Sequence, residues 1–456
     1  MSKGSTASEA YLTSLCRLAF LHLWSYPNLY TDRGKEGVEG HGKELCDLLV
    51  VFGNDILIFS DKHCELKENR DLEVVWRRWY RDAIIKSGAQ TLGAERWLTN
   101  YPERVFLDRQ CTEPFPIRLP THPNFYRILT CRGAAQGSQK VWGGRGSLFV
   151  TSDSHERCLE RPMHLGAFDR NGNLFHVFDE VALDAVLRTL DTVTDFCDYL
   201  KKREKFFRHD WDVLAAGEEE LLGFYLNSTT EDGHDFLTRE IIENEPTRIF
   251  IDESFWDSWI EGPQRKTREE ANRISYCWDR LVEKFVFHMK GGTQYFVSEG
   301  GLDDLEIIVR WMARESRLHR RILAESLLEA MNSTKVGEVR RRYSLPQKPG
   351  DPYWAFLVMP RLDELSYQRY RELRRQSLIG QCYVIKYLHP EALDIVGIAV
   401  DPNPKEISED AIHMDARTWT IENNNIAKGL HEEIGIFRNP RAYEIHAYES
   451  PIDVDT

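Results

Sequence analysis

Between Glu44 and Lys62 the chain reads Glu-Leu-Cys-Asp-Leu-Leu-Val-Val-Phe, then Gly53-Asn54, then Asp-Ile-Leu-Ile-Phe-Ser-Asp-Lys. Two apolar runs of strand length around a Gly-Asn pair predict a β-hairpin. Asp47 lies inside the first run, and Ser60, Asp61 and Lys62 close the second. A buried charge is costly unless it is paired or bound to a metal. Asp47 and Lys62 are therefore candidates for chemistry, with a purely structural ion pair as the competing explanation. Side chains alternate along a strand, so Ser60 and Lys62 share a face and Asp61 turns to the other. Glu44, three residues before Asp47, faces away from it on a regular strand and reads as a structural or loop-facing acid, unless strand pairing begins only after it.

Bulk properties frame what surrounds the hairpin. The 456 residues suffice for two or three domains. A hydrophobic share of 42% and a charged share of 29% are those of a globular protein. No apolar run approaches the length of a membrane span. Tyr11 to Trp24 carries Arg17 and His22 and makes a poor signal peptide. The nine cysteines stand singly with no Cys-x-x-Cys pair, which argues against a zinc ribbon or a disulfide framework and predicts a cytoplasmic setting. A formal charge of −14 opposes nonspecific phosphate binding. Local basic clusters at Arg77, Arg78, Arg81 and Lys86, and at Arg340 to Arg342, remain available as nucleic-acid contacts or as solvated faces.

Apolar spacing predicts a first helix from Tyr11 ending near Pro27, a polar loop over 31–42, the hairpin, and a helix from Asp71 to about Lys86. Short strands follow at 104–107, 126–131 and 147–150, with a hairpin turn at Asn171-Gly172-Asn173. A long helix is expected over 181–205 and a mainly helical stretch to Arg342, with Leu302 to Met331 the clearest amphipathic run. Leu345 to Pro352 reads as a boundary. Beyond it the pattern predicts a helix over 362–376 and strands at 382–388 and 395–400. The expected fold class is α/β: an N-terminal mixed sheet flanked by helices in residues 1–180, a mainly helical region in 181–345, and a small α/β module in 353–456.

Asp47 on one strand and Lys62 ending the next resemble the PD-(D/E)XK superfamily, in the restriction-endonuclease-like form found in bacterial defence proteins. The resemblance covers the first third to two-fifths of the chain. It implies a metal-dependent nuclease, an endonuclease acting on DNA before RNA, in defence against phage or plasmids. It also implies Mg²⁺ or Mn²⁺ held by Asp47, by the helix-borne acid Glu9 and by Asp61, whose backbone carbonyl can also serve. Lys62 would position or activate water, because phosphodiester hydrolysis needs charge neutralisation at the phosphate. The superfamily's second acid belongs at position 60, where this chain has serine, a poor Mg²⁺ ligand beside a carboxylate. A bulge re-aiming Asp61 would restore an acid. Gln90 lies where related nucleases carry a polar site residue. The basic cluster from Arg77 to Lys86 would then contact nucleic acid. The alternatives are a catalytically inactive scaffold or nucleic-acid-binding subunit of the same fold, which Ser60 favours, and an effector nuclease controlled by a partner protein of a defence system. Self-association is a further expectation.

Other motifs carry less. His155, Cys158, His164 and Asp169 match no zinc spacing and read as hydrogen-bonded loop residues. Gly143-Gly-Arg-Gly146 and Ser298-Glu-Gly-Gly301 lack the Gly-Lys-Ser/Thr of a phosphate loop. The twelve tryptophans sit mostly at helical spacing, as core anchors do.

Overall fold

The computed structural model describes residues 6–20, 24–34, 40–67, 71–230, 233–244, 246–292, 302–402 and 408–438. Ser298-Glu-Gly-Gly301 lies outside them. The chain divides into two compact units, one running up to Thr267 and one beginning at Arg268.

The first unit is built on a six-stranded mixed sheet. Helix α1 (Ala7–Phe20) leads into strands β1 (Ser25–Thr31), β2 (Lys43–Phe52) and β3 (Asp55–His63), an antiparallel meander. Gly53 makes the tight β2–β3 turn with a positive φ of 59°, which glycine adopts without a Cβ penalty. Helix α2 (Leu72–Tyr80) runs through a π-helical stretch, Arg81–Ile85, into α3 (Lys86–Asn100). This helical crossover returns the chain past the short strand β4 (Val105–Phe106) to β5 (Asn124–Arg132), parallel to β3. Crossovers of this kind are what parallel neighbours require. The strand His176–Phe178 adds beyond β5, giving the order β4-β1-β2-β3-β5 and then that strand.

Both faces of the hairpin are covered, which accounts for its unbroken apolar runs. On one side Leu45, Leu49, Val51, Ile56 and Ile58 pack with Ala94 and Leu98 of α3. Leu48, Val50, Leu57 and Phe59 alternate with that set and are fully buried as well. From α1, Leu12, Leu15, Cys16 and Ala19 are buried.

Several expectations need correction. The first helix stops at Phe20, and Pro27, expected near its end, lies within β1 opposite Leu48. Proline fits there because β4 pairs only with Tyr30 and Thr31, leaving the outer side of β1 at Pro27 without a ladder partner among the described residues. The long helix over 181–205 is two helices, Ala182–Thr189 and Val193–Phe207, with Thr192 capping the second through its hydroxyl. The Leu302–Met331 run likewise breaks, and Ser316 caps Arg317–Ser333. The helix-rich middle also contributes strands Asp212–Ala215 and Arg248–Ile251 to a second, four-stranded sheet with Phe149–Ser154 and His164–Phe168. The turn at Asn171–Asn173 forms as expected: Asp169 Oδ1 accepts both backbone N–H groups, and Phe168 bridges Leu174.

The second unit carries a four-stranded sheet in the order Arg340–Ser344, Tyr353–Val358, Asp394–Val400, Glu409–Asp415, with its central pair parallel. Leu345 to Pro352 thus joins two antiparallel neighbours of one sheet. Residues 382–388, expected as a strand, are the end of helix Tyr367–Leu388. Tyr370, Leu378, Cys382 and Ile385 are all fully buried along it, so a helical stripe overrides the local β-branched character.

Candidate active site

The β2–β3 ladder runs from Phe52↔Asp55 to Leu48↔Phe59 and stops one residue short of Asp47. There the Asp47 carboxylate does what a backbone carbonyl would do. Its Oδ2 accepts the backbone N–H of Asp61 at 2.6 Å and lies 3.7 Å from Lys62 Nζ. Asp47 is 3% exposed, while the Lys62 side chain is 35% exposed, so the pair joins a buried acid to a cation that reaches solvent. Burial raises the Asp47 pKa above the ordinary carboxylate value. Lys62 and the Asp61 N–H oppose that rise, and the charges of Glu9 and Asp61 add to it. The sequence expectation that Asp47 and Lys62 meet on one face is met.

Glu44 joins them, contrary to the expectation that it faces away. Leu29 of β1 pairs with Cys46, but Tyr30 pairs with Glu44, so β2 holds one extra residue, Leu45, at that point. A bulge of this kind reverses the alternation of side chains beyond it. Glu44 therefore shares the face of Asp47. Its pKa is raised by partial removal from water, then by repulsion from Asp47 and Glu9, with Lys62 opposing. Tyr30 stands beside it. The Tyr30 phenol is pushed up by burial and by the Glu44 and Glu9 charges, with Arg109 opposing.

Glu9 comes to the same end of the sheet on the first turn of α1. Thr6 and Glu9 form a reciprocal capping box: Thr6 N–H donates to Glu9 Oε2 at 3.1 Å, and Glu9 N–H donates to Thr6 Oγ1 at 3.1 Å. The helix-end role is thus real. It coexists with a position close enough to Asp47, Glu44 and Tyr30 to shift all three.

Ser60 and Asp61 behave differently. The Ser60 hydroxyl is buried and donates to Gln90 Oε1 of α3 at 3.0 Å, so the expected neighbour Gln90 does meet the site. Asp61 turns to the opposite face, where Ser8 and Thr130 hydroxyls donate to its carboxylate and Arg132 Nε lies 3.8 Å away. The β3–β5 register is continuous from Asp55↔Asn124 to His63↔Arg132, so no bulge in β3 re-aims Asp61; the bulge is in β2. Among the described residues, no three His, Cys, Asp or Glu side chains come together closely enough to hold a metal ion.

The basic cluster is exposed and largely neutralised. Arg77 pairs with Glu73 and Glu160, Arg81 with Asp82 at 3.6 Å, and Lys86 with Asp82 at 2.7 Å. Arg78 lies on the same helix, also exposed. Lys86 does approach the end of β3. The Cys64 thiol is raised by burial and by Asp82, while Lys62 and Lys86 both oppose.

The histidines expected as hydrogen-bonded loop residues are hydrogen-bonded but lie in regular elements: His155 opens the short helix His155–Leu159, and His164 opens the strand His164–Phe168 with Nδ1 2.8 Å from the Pro162 carbonyl. Buried His155 meets the Tyr80 hydroxyl through Nδ1 at 2.9 Å, and burial lowers its pKa to about 4. The local sequence pattern neither placed Tyr30 at the site nor brought Glu44 onto the face of Asp47, because the bulge depends on how β2 pairs with β1. Among the described residues, no helix is long and apolar enough to cross a membrane. No protein-family model, no curated protein and no solved structure matches the chain.

Proposed function

We propose that the N-terminal sheet carries a metal-dependent nuclease of the PD-(D/E)XK kind, cleaving phosphodiester bonds of nucleic acid, DNA before RNA. The observation that carries this reading is the buried Asp47 carboxylate, oriented by the Asp61 N–H and set 3.7 Å from a solvent-reaching Lys62. The acid missing at Ser60 has a substitute in Glu44, brought round by the bulge. Asp47, Glu44 and Glu9 are hard oxygen donors of the kind Mg²⁺ or Mn²⁺ takes. Two carboxylates with water are an ordinary protein complement for Mg²⁺. Such a cation would neutralise charge developing on the phosphate. The chain's own contribution is the rest. Lys62 can pair with a phosphate oxygen or hold water beside it, and the Asp61 N–H keeps Asp47 from rotating away. A role in defence rests on the family resemblance alone.

The test is cleavage of plasmid DNA and RNA with and without Mn²⁺ by wild type, Asp47→Ala and Lys62→Ala. Metal-dependent cutting lost in both variants supports the enzyme. A second reading, a non-catalytic nucleic-acid-binding derivative, is favoured by the Ser60 bond to Gln90 and by Asp61 facing away. A folded wild type that binds nucleic acid but cuts under no metal decides for it.

A further inference from the structure

A polar cavity of the first unit lies apart from Asp47, with a volume of about 440 Å³. Its walls come from Asp32 and Arg33 just after β1, from Arg96, Trp97 and Tyr101 at the end of α3, and from Arg104 before β4. That volume is in the range of small-ligand sites. The Arg104 guanidinium lies 5.4 Å from the centroids of both the Trp97 and Tyr101 rings, which are themselves 4.9 Å apart. Arg104 Nε donates to both carboxylate oxygens of Asp32, at 2.9 and 3.0 Å. The platform of one guanidinium and two rings is thereby fixed in place. Arg33 and Arg96 are exposed and enter no ion pair among the described residues. Three arginines against one aspartate leave a net positive concavity on a chain whose formal charge is −14.

Its place relative to the site follows from register. Thr31 pairs with Lys43, four residues before Asp47 on β2, or roughly 13 Å of strand. Along α3, Gln90 meets Ser60, and Trp97 lies seven residues on, roughly 10 Å of helix. Trp97 packs against the same cluster of Leu45, Leu49 and Ile58 that Ala94 and Leu98 cover. Cavity and candidate active site therefore lie over one face of the sheet, a short span apart.

We propose that this cavity binds a nucleotide of single-stranded nucleic acid whose strand continues to place a more distant phosphodiester at the Asp47–Lys62 end. The base stacks on the Arg104–Tyr101–Trp97 platform, and Arg33 and Arg96 take the flanking phosphates. Stacking on aromatic and guanidinium planes with a basic rim is the ordinary chemistry of single-strand recognition. A duplex, with its bases paired and stacked, offers no face to the platform. The proposal rests on the nucleic-acid reading of the site but does not require cleavage.

Fluorescence anisotropy in EDTA, with a labelled single-stranded oligodeoxynucleotide and its duplex, tests the cavity on the full chain. Tyr101→Ala should weaken single-strand binding about tenfold. Arg33→Ala/Arg96→Ala should reduce the slope of log affinity against log salt by about 1.4, the value for two phosphate contacts on a single strand. Arg170→Ala, an exposed charge on the Asp169–Asn173 turn and outside the cavity lining, serves as the control. Equal losses in the control and cavity variants, no loss in either cavity variant, or preference for the duplex would each overturn the proposal. The arginine variants are surface changes and keep the test decisive if Tyr101→Ala does not fold. Binding that depends on the cavity, with no cleavage under any metal, would leave the cavity standing and remove the nuclease.

Discussion

Glu44 and Asp47 share a face of the sheet because β2 holds an extra residue, Leu45, between the partners of Leu29 and Tyr30. The consequence is chemical. Two carboxylates, both with raised pKa values, flank Lys62, and a third on α1 acts on both. If Glu44 stands in for the acid absent at position 60, Glu44→Gln keeps the shape of the site and removes one hard donor. The Mn²⁺ concentration giving half-maximal cleavage should rise at least about tenfold, with the thermal midpoint of the metal-free protein little changed. An unchanged metal requirement would return Glu44 to a structural role.

Ser60→Asp restores the superfamily's acid and gives an independent test. Ser60 is fully buried and its hydroxyl is committed to Gln90. A carboxylate there sits close to Asp47 without a new cation, so the metal-free variant should lose on the order of 2 to 4 kcal/mol in urea denaturation. Millimolar Mn²⁺ should recover part of that loss, more than it stabilises wild type. No differential effect of Mn²⁺ would mean that position 60 does not face a cation site.

The hairpin, its turn and the meeting of Asp47 with Lys62 were legible because they depend on local pattern: apolar runs, a Gly-Asn pair and face parity. The position of Glu44 was not, because a bulge is fixed by pairing with β1, a strand whose proline concealed it. The helix over 382–388 shows the same limit: burial against distant elements decided between readings that local composition left equal. The break at Thr192 is different, because its signal is the local Thr192–Asp195 cap. The nucleotide-sized cavity was equally hidden, since Asp32, Trp97 and Arg104 meet only when β1 and β4 pair.

The Thr6–Glu9 capping box ties the candidate acid of α1 to the stability of the helix that presents it. Thr6→Ala should cost about 1 kcal/mol, read from the urea midpoint. It should also loosen the first turn that carries Ser8, a donor to Asp61, and Glu9. Glu9→Gln retains an acceptor for the Thr6 N–H and should cost less. A Glu9→Gln variant that keeps its stability but loses cleavage would separate the acid's chemical role from its capping role.

A buried acid pair elsewhere in the first unit sets a pH dependence of stability. Glu219, 1% exposed, accepts from the Ser147 hydroxyl through Oε1, and its Oε2 has no hydrogen-bond partner among the described residues. Burial, then the Asp179 charge, pushes its pKa up to about 8. Asp179 is pushed up to about 6 by burial, against three backbone N–H groups from Leu148, Val181 and Ala182 that favour its ionised form. Both acids hold protons more tightly folded than unfolded. Their stabilising contribution is therefore complete below about pH 4, the range of free carboxylates, and declines as pH rises toward 8. Between pH 7 and 8, where Asp179 is largely ionised and Glu219 is the member of the pair still titrating, the loss should be no steeper than about 1.4 kcal/mol per pH unit. Glu219→Gln keeps the size of the side chain and cannot ionise. Urea denaturation should find it more stable than wild type at pH 8, and flatter across that interval. A wild type whose stability is level from pH 7 to 8 would show that Glu219 is already ionised in the folded protein.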